Sequence, residues 1–259
     1  MKNLLFTLLA LVLVLFTACR EDDELITDDT ATVEVNFVAE KNGEPLVIGE
    51  ATPYPGDDRL FQATKFQFYL SDIVLLEDGT ADVTELSEVE LIDFTASTAE
   101  EAALGTSRAY ENVPVGTYSG IRMGLGVNRD LNVETTGVYT SSEPLGQNWW
   151  PGWESYIFSR FEGRYDVDND GAFTAADSTY VLHTGSNEAF RTVTLNMPVT
   201  VSAENGNTVI SITVDYDQVF RNGTDDYHDL EADNTIHNAD NLDLINQLMD
   251  NFENAFELR

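Results

Sequence analysis

Apolar and polar residues alternate in steps of two along much of this chain, and this alternation limits the fold more than any other feature. It is clearest over residues 193–201, and a second alternating run covers 209–216. A period of two places the apolar side chains on one face of a β-strand. Asn205-Gly206 lies between the two runs, and this dipeptide favours a tight hairpin turn. The sequence therefore predicts two strands joined as a hairpin.

The same pattern recurs along the body of the chain and predicts an all-β fold. Further strands are expected at 33–37, 66–76, 89–94 and 118–127, with turns at 78–79 and 114–116. Helix is scarce: a short turn is expected at 98–104. A stripe of apolar residues at spacings of three and four, from Leu242 to Phe256, predicts a C-terminal helix with Asp240 or Asn241 as its N-cap. The expected fold is an antiparallel β-sandwich or barrel-like domain with one C-terminal helix.

The N-terminus has the features of a targeting segment. Lys2 is followed by an apolar run from Leu4 to Phe16 and then by Thr17, Ala18 and Cys19. The run is shorter than the roughly 20 residues of a membrane-spanning helix, and small residues before a cleavage point are typical of secretory signals. The cysteine after them resembles a bacterial lipobox. We expect a signal peptide over 1–18 and lipidation of Cys19, which is the single cysteine of the chain.

An acidic stretch follows Cys19 and predicts a solvated tether over residues 19–30, before a β domain over 31–259. Such a stretch resembles the surface-export signal of Bacteroidetes lipoproteins, and a plain flexible linker is the alternative. The expected location is the bacterial cell envelope, with a lipid anchor in the outer membrane and the domain on its periplasmic or cell-surface face. The anchor is the only expected contact with the membrane.

The formal net charge of −33 constrains the partners. Such a surface repels nucleic acid and anionic lipid, and it attracts cations. We therefore expect no nucleic-acid partner and consider metal ions instead.

Residues 166–177 match the twelve-residue calcium loop position by position. Carboxylates at the first, third and fifth positions converge on one side of a tight turn, and Gly171 at the sixth permits the bend. The seventh position offers a backbone carbonyl, the ninth a hydroxyl, and the twelfth a closing carboxylate. The predicted calcium ligands are Asp166, Asp168, Asp170, Ala172, Thr174 and Asp177. The expected role of the calcium ion is structural.

Several ordered segments resemble the MbnP-like family of periplasmic copper-binding proteins, which includes the MopE type. The segments run over roughly residues 30–259 and are 68–73, 91–94, 113–118, 125–128, 149–153, 156–158, 162–163, 183–185 and 237–241. The resemblance implies a β-rich protein that binds copper, or a copper-bearing small molecule, through two histidines and an oxidised tryptophan.

Carried over by position, the resemblance implies Trp150 as the modified tryptophan, His183 as one ligand and His237 as the best second ligand. The chain departs from the family at Gly152, where the pattern has a histidine. His228 is the other histidine that could serve. A shared site requires the rings of His183 and His237 to lie almost in contact, because metal–nitrogen bonds are about 2 Å long.

Two other classes of function remain as alternatives. The first is a surface lipoprotein that binds carbohydrate or protein without copper, using Trp149, Trp150 and Trp153 as an exposed stacking platform. The second is an enzyme, but no nucleophile elbow, zinc-binding His-Glu pair or phosphate loop is found in the sequence. We therefore expect a binding protein and not an enzyme.

Overall fold

Two β-sheets pack against each other around a single apolar core in the computed structural model, which describes residues 29–134 and 137–259. Cys19, the signal segment and most of the tether lie outside the described residues. The strands are β1 (Thr30–Lys41), β2 (Glu44–Pro45), β3 (Ala51–Pro53), β4 (Leu60–Glu77), β5 (Val83–Phe94), β6 (Thr106–Pro114), β7 (Gly116–Leu125), β8 (Trp149–Trp150), β9 (Ser155–Tyr165), β10 (Ser178–Gly185), β11 (Arg191–Val201), β12 (Asn207–Asp215), β13 (Thr235–Ile236) and β14 (Phe256–Leu258). The helices are α1 (Ala99–Leu104), α2 (Tyr216–Val219) and α3 (Leu242–Glu253).

The first sheet is built around the N-terminal strand. It has the order β14-β12-β1-β2, and β6 also pairs with β1. β1 runs parallel to β12, from Thr32 opposite Asn207 to Glu40 opposite Asp215. The all-β sandwich is thus confirmed, but its sheets are mixed. A second parallel pair, β10 with β13, lies in the other sheet.

The second sheet is organised by the long strand β4. Along one edge, Phe66 pairs with Phe161 of β9 and Leu70 pairs with Leu125 of β7, so these two strands follow one another along β4. β5 pairs with the opposite edge. The sheet continues from β9 to β10 and β13. Asp78 and Gly79 form the predicted turn between β4 and β5, and Gly79 has a φ of 74°.

The predicted hairpin at Asn205-Gly206 is wrong. Both flanking strands exist, but β11 pairs with β7 in the second sheet, whereas β12 pairs with β1 and β14 in the first. Gly206, with a φ of 75°, makes a turn through which the chain crosses from one sheet to the other. The dipeptide predicts a change of chain direction, and it does not determine which strands pair.

The core lies between the sheets and is closed at one side by α3. Val35 and Phe37 from β1, together with Ile212 from β12, are fully buried on the first sheet. Phe252 of α3 contacts Phe68 at 5.1 Å between ring centroids.

The C-terminal helix is confirmed over a shorter range than the apolar stripe. Asn241 is its N-cap, and its side chain accepts a hydrogen bond from the backbone N–H of Leu244. The helix ends at Glu253, and Phe256 belongs to β14 instead. The predicted turn at 98–104 is the short helix α1, capped by Thr98.

Among the helices of the described residues, none has the length and apolar character needed to cross a bilayer.

Candidate metal-binding site

Two histidines distant in sequence become neighbours because β10 and β13 run parallel. Leu182 pairs with Ile236 in this short ladder, so the next residues, His183 and His237, lie side by side. Residues paired across a parallel ladder point to the same face of the sheet. Leu182 and Ile236 are buried in the core, and the two histidines therefore point away from it.

The imidazole rings are stacked. Their centroids are 4.9 Å apart and their planes differ by 16°. The indole of Trp150 meets the His237 ring edge-on, with 5.8 Å between the centroids. The structure thus brings together all three residues that the resemblance implied. Because nitrogen lone pairs lie in the ring planes, at least one of the stacked rings must turn before both can point at one ion.

A carboxylate that the sequence analysis did not single out completes the cluster. Glu162 lies on β9, and its Oε1 is 2.8 Å from Nε2 of His183. The same oxygen accepts a hydrogen bond from Nε of Arg160 at 2.8 Å, and a terminal guanidinium nitrogen of Arg160 forms an ion pair with it at 2.7 Å. Arg160 pairs directly with His183 across the ladder. The carboxylate is therefore held between a guanidinium and an imidazole.

These contacts shift the pKa values of the cluster. The hydrogen bond from His183, helped by the charge of Arg160, lowers the pKa of Glu162 to about 2. Partial desolvation lowers the pKa of His237, and proximity to His183 lowers it further. A histidine with a lowered pKa stays neutral at pH 7, and only the neutral ring offers a lone pair to a metal.

Trp150 is positioned by a short hairpin. β8 pairs with the start of β9, so that Trp149 is opposite Tyr156 and Trp150 is opposite Ser155. The turn between them contains Gly152, and a Cβ at this position would lie 3.0 Å from Nε1 of Trp150. The position that carries a histidine in the family pattern therefore adjoins the tryptophan of the cluster.

The three tryptophans do not form an exposed platform. Trp153 is 9% exposed, and its ring lies where a Cβ on Gly185 would come within 2.4 Å. Trp149 packs edge-on against Tyr156, with 5.2 Å between the ring centroids. Trp149 and Trp150 are half-buried. This arrangement does not support stacking of a sugar on three rings.

His228, the other candidate for the second ligand, lies in a different environment. It is buried, its backbone N–H bonds to the carbonyl of Phe220, and its Nε2 is 2.6 Å from the carbonyl oxygen of Asp233. These contacts give His228 a structural role.

The calcium-type loop connects β9 to β10, the two strands that carry Glu162 and His183. Carboxylate oxygens of Asp166, Asp168 and Asp177 lie within 4.8 Å of one another. The structure thus brings together three of the four predicted carboxylates.

The side-chain oxygens of Asp170 and Thr174, two further predicted ligands, accept hydrogen bonds from backbone N–H groups of the loop. Oδ1 of Asp170 accepts the N–H of Ala172 at 2.9 Å, and Oγ1 of Thr174 accepts the N–H of Ala176 at 3.1 Å. The carbonyl of Thr174 accepts a hydrogen bond from Arg164. Gly171 has a φ of 81°, which a residue with a Cβ adopts only with strain.

The electrostatics of the loop suit a cation. Partial desolvation, followed by the negative charges of Asp170 and Asp177, raises the pKa of Asp168. Burial also raises the pKa of Asp166, but hydrogen bonds from the N–H groups of Gly171 and Asp170 outweigh it, and the net shift is downward. A divalent cation between the carboxylates would remove the repulsion felt by Asp168.

Glu162 and Arg160 could have been found from the sequence. The loop of residues 166–177 fixes how its two flanking strands pair, with Tyr165 opposite Ser178. Counting outward from the loop places Arg160 opposite His183 and puts Glu162 on the same face, two residues away. The length of the loop, which can be read from the sequence, therefore predicts that Arg160 and Glu162 lie close to His183.

Comparisons with known proteins agree with this architecture. The family model MbnP matches residues 30–240. The solved structure of MbnP from Methylosinus trichosporium is similar in fold, with a TM-score of 0.50 and 14% identity over 74% of this chain and 78% of that chain. No curated protein matches the chain.

Proposed function

Because this chain belongs to the MbnP family, we propose that it is a copper-binding protein of the bacterial cell envelope, with His183 and His237 as its ligands. The observation that supports this proposal is the stacked pair of imidazoles, 4.9 Å apart, beside Trp150. The protein acts by binding, and we assign no catalytic residue. Its ligand is the copper ion, free or carried by a small molecule.

The donor atoms fit copper. Imidazole nitrogen suits copper among the transition metals, and the site provides two such rings. The lowered pKa of His237 keeps that ring in the neutral form that a metal requires. The chain lacks one of the two histidines of the family pattern, since Gly152 occupies its position, and His237 is the second imidazole in its place. We therefore propose a two-nitrogen site, with the Trp150 indole shielding one side of it.

Copper binding by single-histidine variants tests this function. His183→Ala and His237→Ala should each weaken binding of Cu(I) by at least about a hundredfold, which corresponds to about 2.7 kcal/mol, because each removes one of two nitrogens. The measurement is anaerobic competition with a chromophoric chelator. Elemental analysis and intact mass of the wild-type protein report copper content and any oxygen added to tryptophan.

His228→Asn is the matched control, because His228 is bonded to Asp233 away from the stacked pair. This variant should retain the copper affinity of the wild-type protein. Circular dichroism confirms that each variant is folded. Wild-type affinity in both folded variants, His183→Ala and His237→Ala, would refute the proposed site.

We further propose that Asp166, Asp168 and Asp177 bind one calcium ion that stabilises the hairpin of β9 and β10. The convergence of three carboxylates supports this proposal. Asp170, Ala172 and Thr174 are the other ligands in this proposal. Their oxygens can turn toward the ion once the ion neutralises the repulsion between the carboxylates.

The proposed location rests on the sequence before the described residues. We propose that residues 1–18 are removed, that Cys19 is lipidated and that residues 19–30 hold the β domain away from an outer membrane. Within the described residues, β1 begins at Thr30, which is the last residue of the proposed tether.

A further inference from the structure

We propose that Glu162 is a positioning residue, which fixes the proton of His183 on Nε2 and leaves Nδ1 as the nitrogen that binds copper. This inference rests on the proposed function, since it identifies the coordinating atom within that site.

The geometry of the carboxylate supports this assignment. Oε1 of Glu162 is 2.8 Å from Nε2 of His183, which is the distance of a hydrogen bond to a charged acceptor. An ionised carboxylate only accepts hydrogen bonds, so Nε2 must carry the proton. A neutral imidazole has one proton, and its lone pair is then on Nδ1.

The carboxylate is itself fixed, so it can act as a rigid acceptor. Arg160 donates a hydrogen bond from Nε to the same oxygen of Glu162, and its terminal nitrogen forms an ion pair with that oxygen. Both residues lie on β9, which is paired on one side with β10 and on the other with β4. In these ladders Arg160 is paired with His183 of β10 on one side and with Gln67 of β4 on the other.

Burial makes the hydrogen bond decisive for the orientation of the ring. The side chain of His183 is 6% exposed, and that of Glu162 is 22% exposed. Water has little access to Nε2, so loss of the carboxylate leaves this N–H without a strong acceptor. Partners of this kind orient metal-binding histidines, and removing them typically weakens metal binding by about 10- to 100-fold.

Imidazole nitrogen NMR on metal-free protein tests the inference directly. The chain has three histidines, so ¹⁵N-histidine labelling gives a simple spectrum that single variants assign. The wild-type protein should show His183 protonated on Nε2 with a lone pair on Nδ1. Glu162→Ala should redistribute the proton between the two nitrogens, and Glu162→Gln should restore the wild-type pattern in part, because its amide oxygen still accepts.

Copper binding supplies the second measurement. Cu(I) is diamagnetic, so its addition should shift Nδ1 of wild-type His183 and leave Nε2 protonated. Glu162→Ala should weaken Cu(I) binding by about 10- to 100-fold. Glu90→Ala is the matched control, because Glu90 lies on β5 of the same sheet as Glu162 and is a half-buried carboxylate bonded to Arg108 of β6. It should change neither measurement.

The outcomes separate the two proposals. A proton on Nδ1 of His183 in the metal-free protein would overturn the inference whether or not copper binds. Attachment of copper to Nε2, with displacement of Glu162, would overturn it as well. Failure of Cu(I) to bind wild-type protein would overturn the proposed function, and with it the assignment of Nδ1 as a copper ligand.

Discussion

Gly152 occupies a position where the family pattern in the sequence analysis has a histidine. Glycine there leaves the site with two imidazoles, His183 and His237. The position adjoins Trp150, whose half-buried ring can move by the few tenths of an ångström that a new side chain needs. The residue therefore limits the number of nitrogen ligands without being a ligand.

Restoring a histidine at this position should strengthen copper binding. We expect Gly152→His to tighten Cu(I) binding by about tenfold or more, equivalent to about 1.4 kcal/mol, because a third nitrogen becomes available. Competition with a chelator measures the change. Gly152→Asn is the control for added bulk and polarity, and equal affinities for the two variants would contradict the prediction.

Glu162 should also make the unfolding free energy of the protein depend on pH. Its pKa is lowered from an ordinary 4.5 to about 2, so the folded state favours the carboxylate. The resulting stability is complete above about pH 5 and is lost as the pH falls toward 2. The unfolding free energy of metal-free wild-type protein should therefore fall more steeply with decreasing pH than that of Glu162→Gln.

Urea unfolding between pH 6 and pH 3 measures this difference. All other carboxylates are common to the two proteins, so the gap between the curves belongs to Glu162. Curves that remain parallel over the whole range would show that His183 and Arg160 do not stabilise the carboxylate.

At the level of elements, the loop between β9 and β10 connects the two proposed metal sites. It begins at Asp166, directly after the strand that carries Glu162, and it ends at Asp177, directly before the strand that carries His183. An ion that tightens the loop also fixes how these two strands are paired.

Calcium should therefore stabilise the folded protein. A ligand at a hundredfold excess over its Kd adds about 2.7 kcal/mol, which raises the melting temperature of a domain of this size by about 5 to 10 °C. Scanning calorimetry of chelated protein, before and after addition of calcium, measures the shift. Asp168→Ala should abolish it, whereas Asp130→Ala, a change at an exposed carboxylate elsewhere, should retain it. An unchanged melting temperature in wild-type protein would exclude a stabilising calcium ion.

The elements show which parts of the fold can be predicted from a sequence. Alternation located β11 and β12, and spacing located α3 with its cap at Asn241, because these patterns depend on neighbours along the chain. The partners of the strands could not be obtained in this way. β11 and β12 were expected to pair with each other, but each pairs within a different sheet. Periodicity fixes the apolar face of a strand and carries no information about its edges.

The candidate site shows the same division. The resemblance supplied His183, His237 and Trp150, and the loop motif supplied the acidic residues. The contact between the two histidines depends on the parallel pairing of β10 with β13, which has two residue pairs. Such a short strand gives no detectable period. Glu162 was missed because one acidic residue in a chain with 46 is not distinctive.

At the scale of the whole molecule, a lipid anchor would attach the chain through residues that precede the β domain. Cys19→Ala should release the protein from the membrane fraction, because the apolar segment before it is expected to be cleaved or to be too short to span. Cell fractionation followed by immunoblotting measures the distribution. The copper affinity of the released protein should equal that of a purified β domain, and retention in the membrane fraction would contradict lipidation at this residue.

The parallel pairing of β1 with β12 has a consequence for the order in which the molecule folds. β1 is synthesised before the other strands. Its parallel pairing, from Thr32 opposite Asn207 to Glu40 opposite Asp215, can form only after β12 has been synthesised. Contacts so distant along the chain form slowly, because a long loop must close before any hydrogen bond is gained. Until β12 has been synthesised, β1 lacks its parallel partner and the first sheet cannot be completed. The proposed export requires the chain to cross a membrane before it folds. The late formation of the β1–β12 pair favours this order of events.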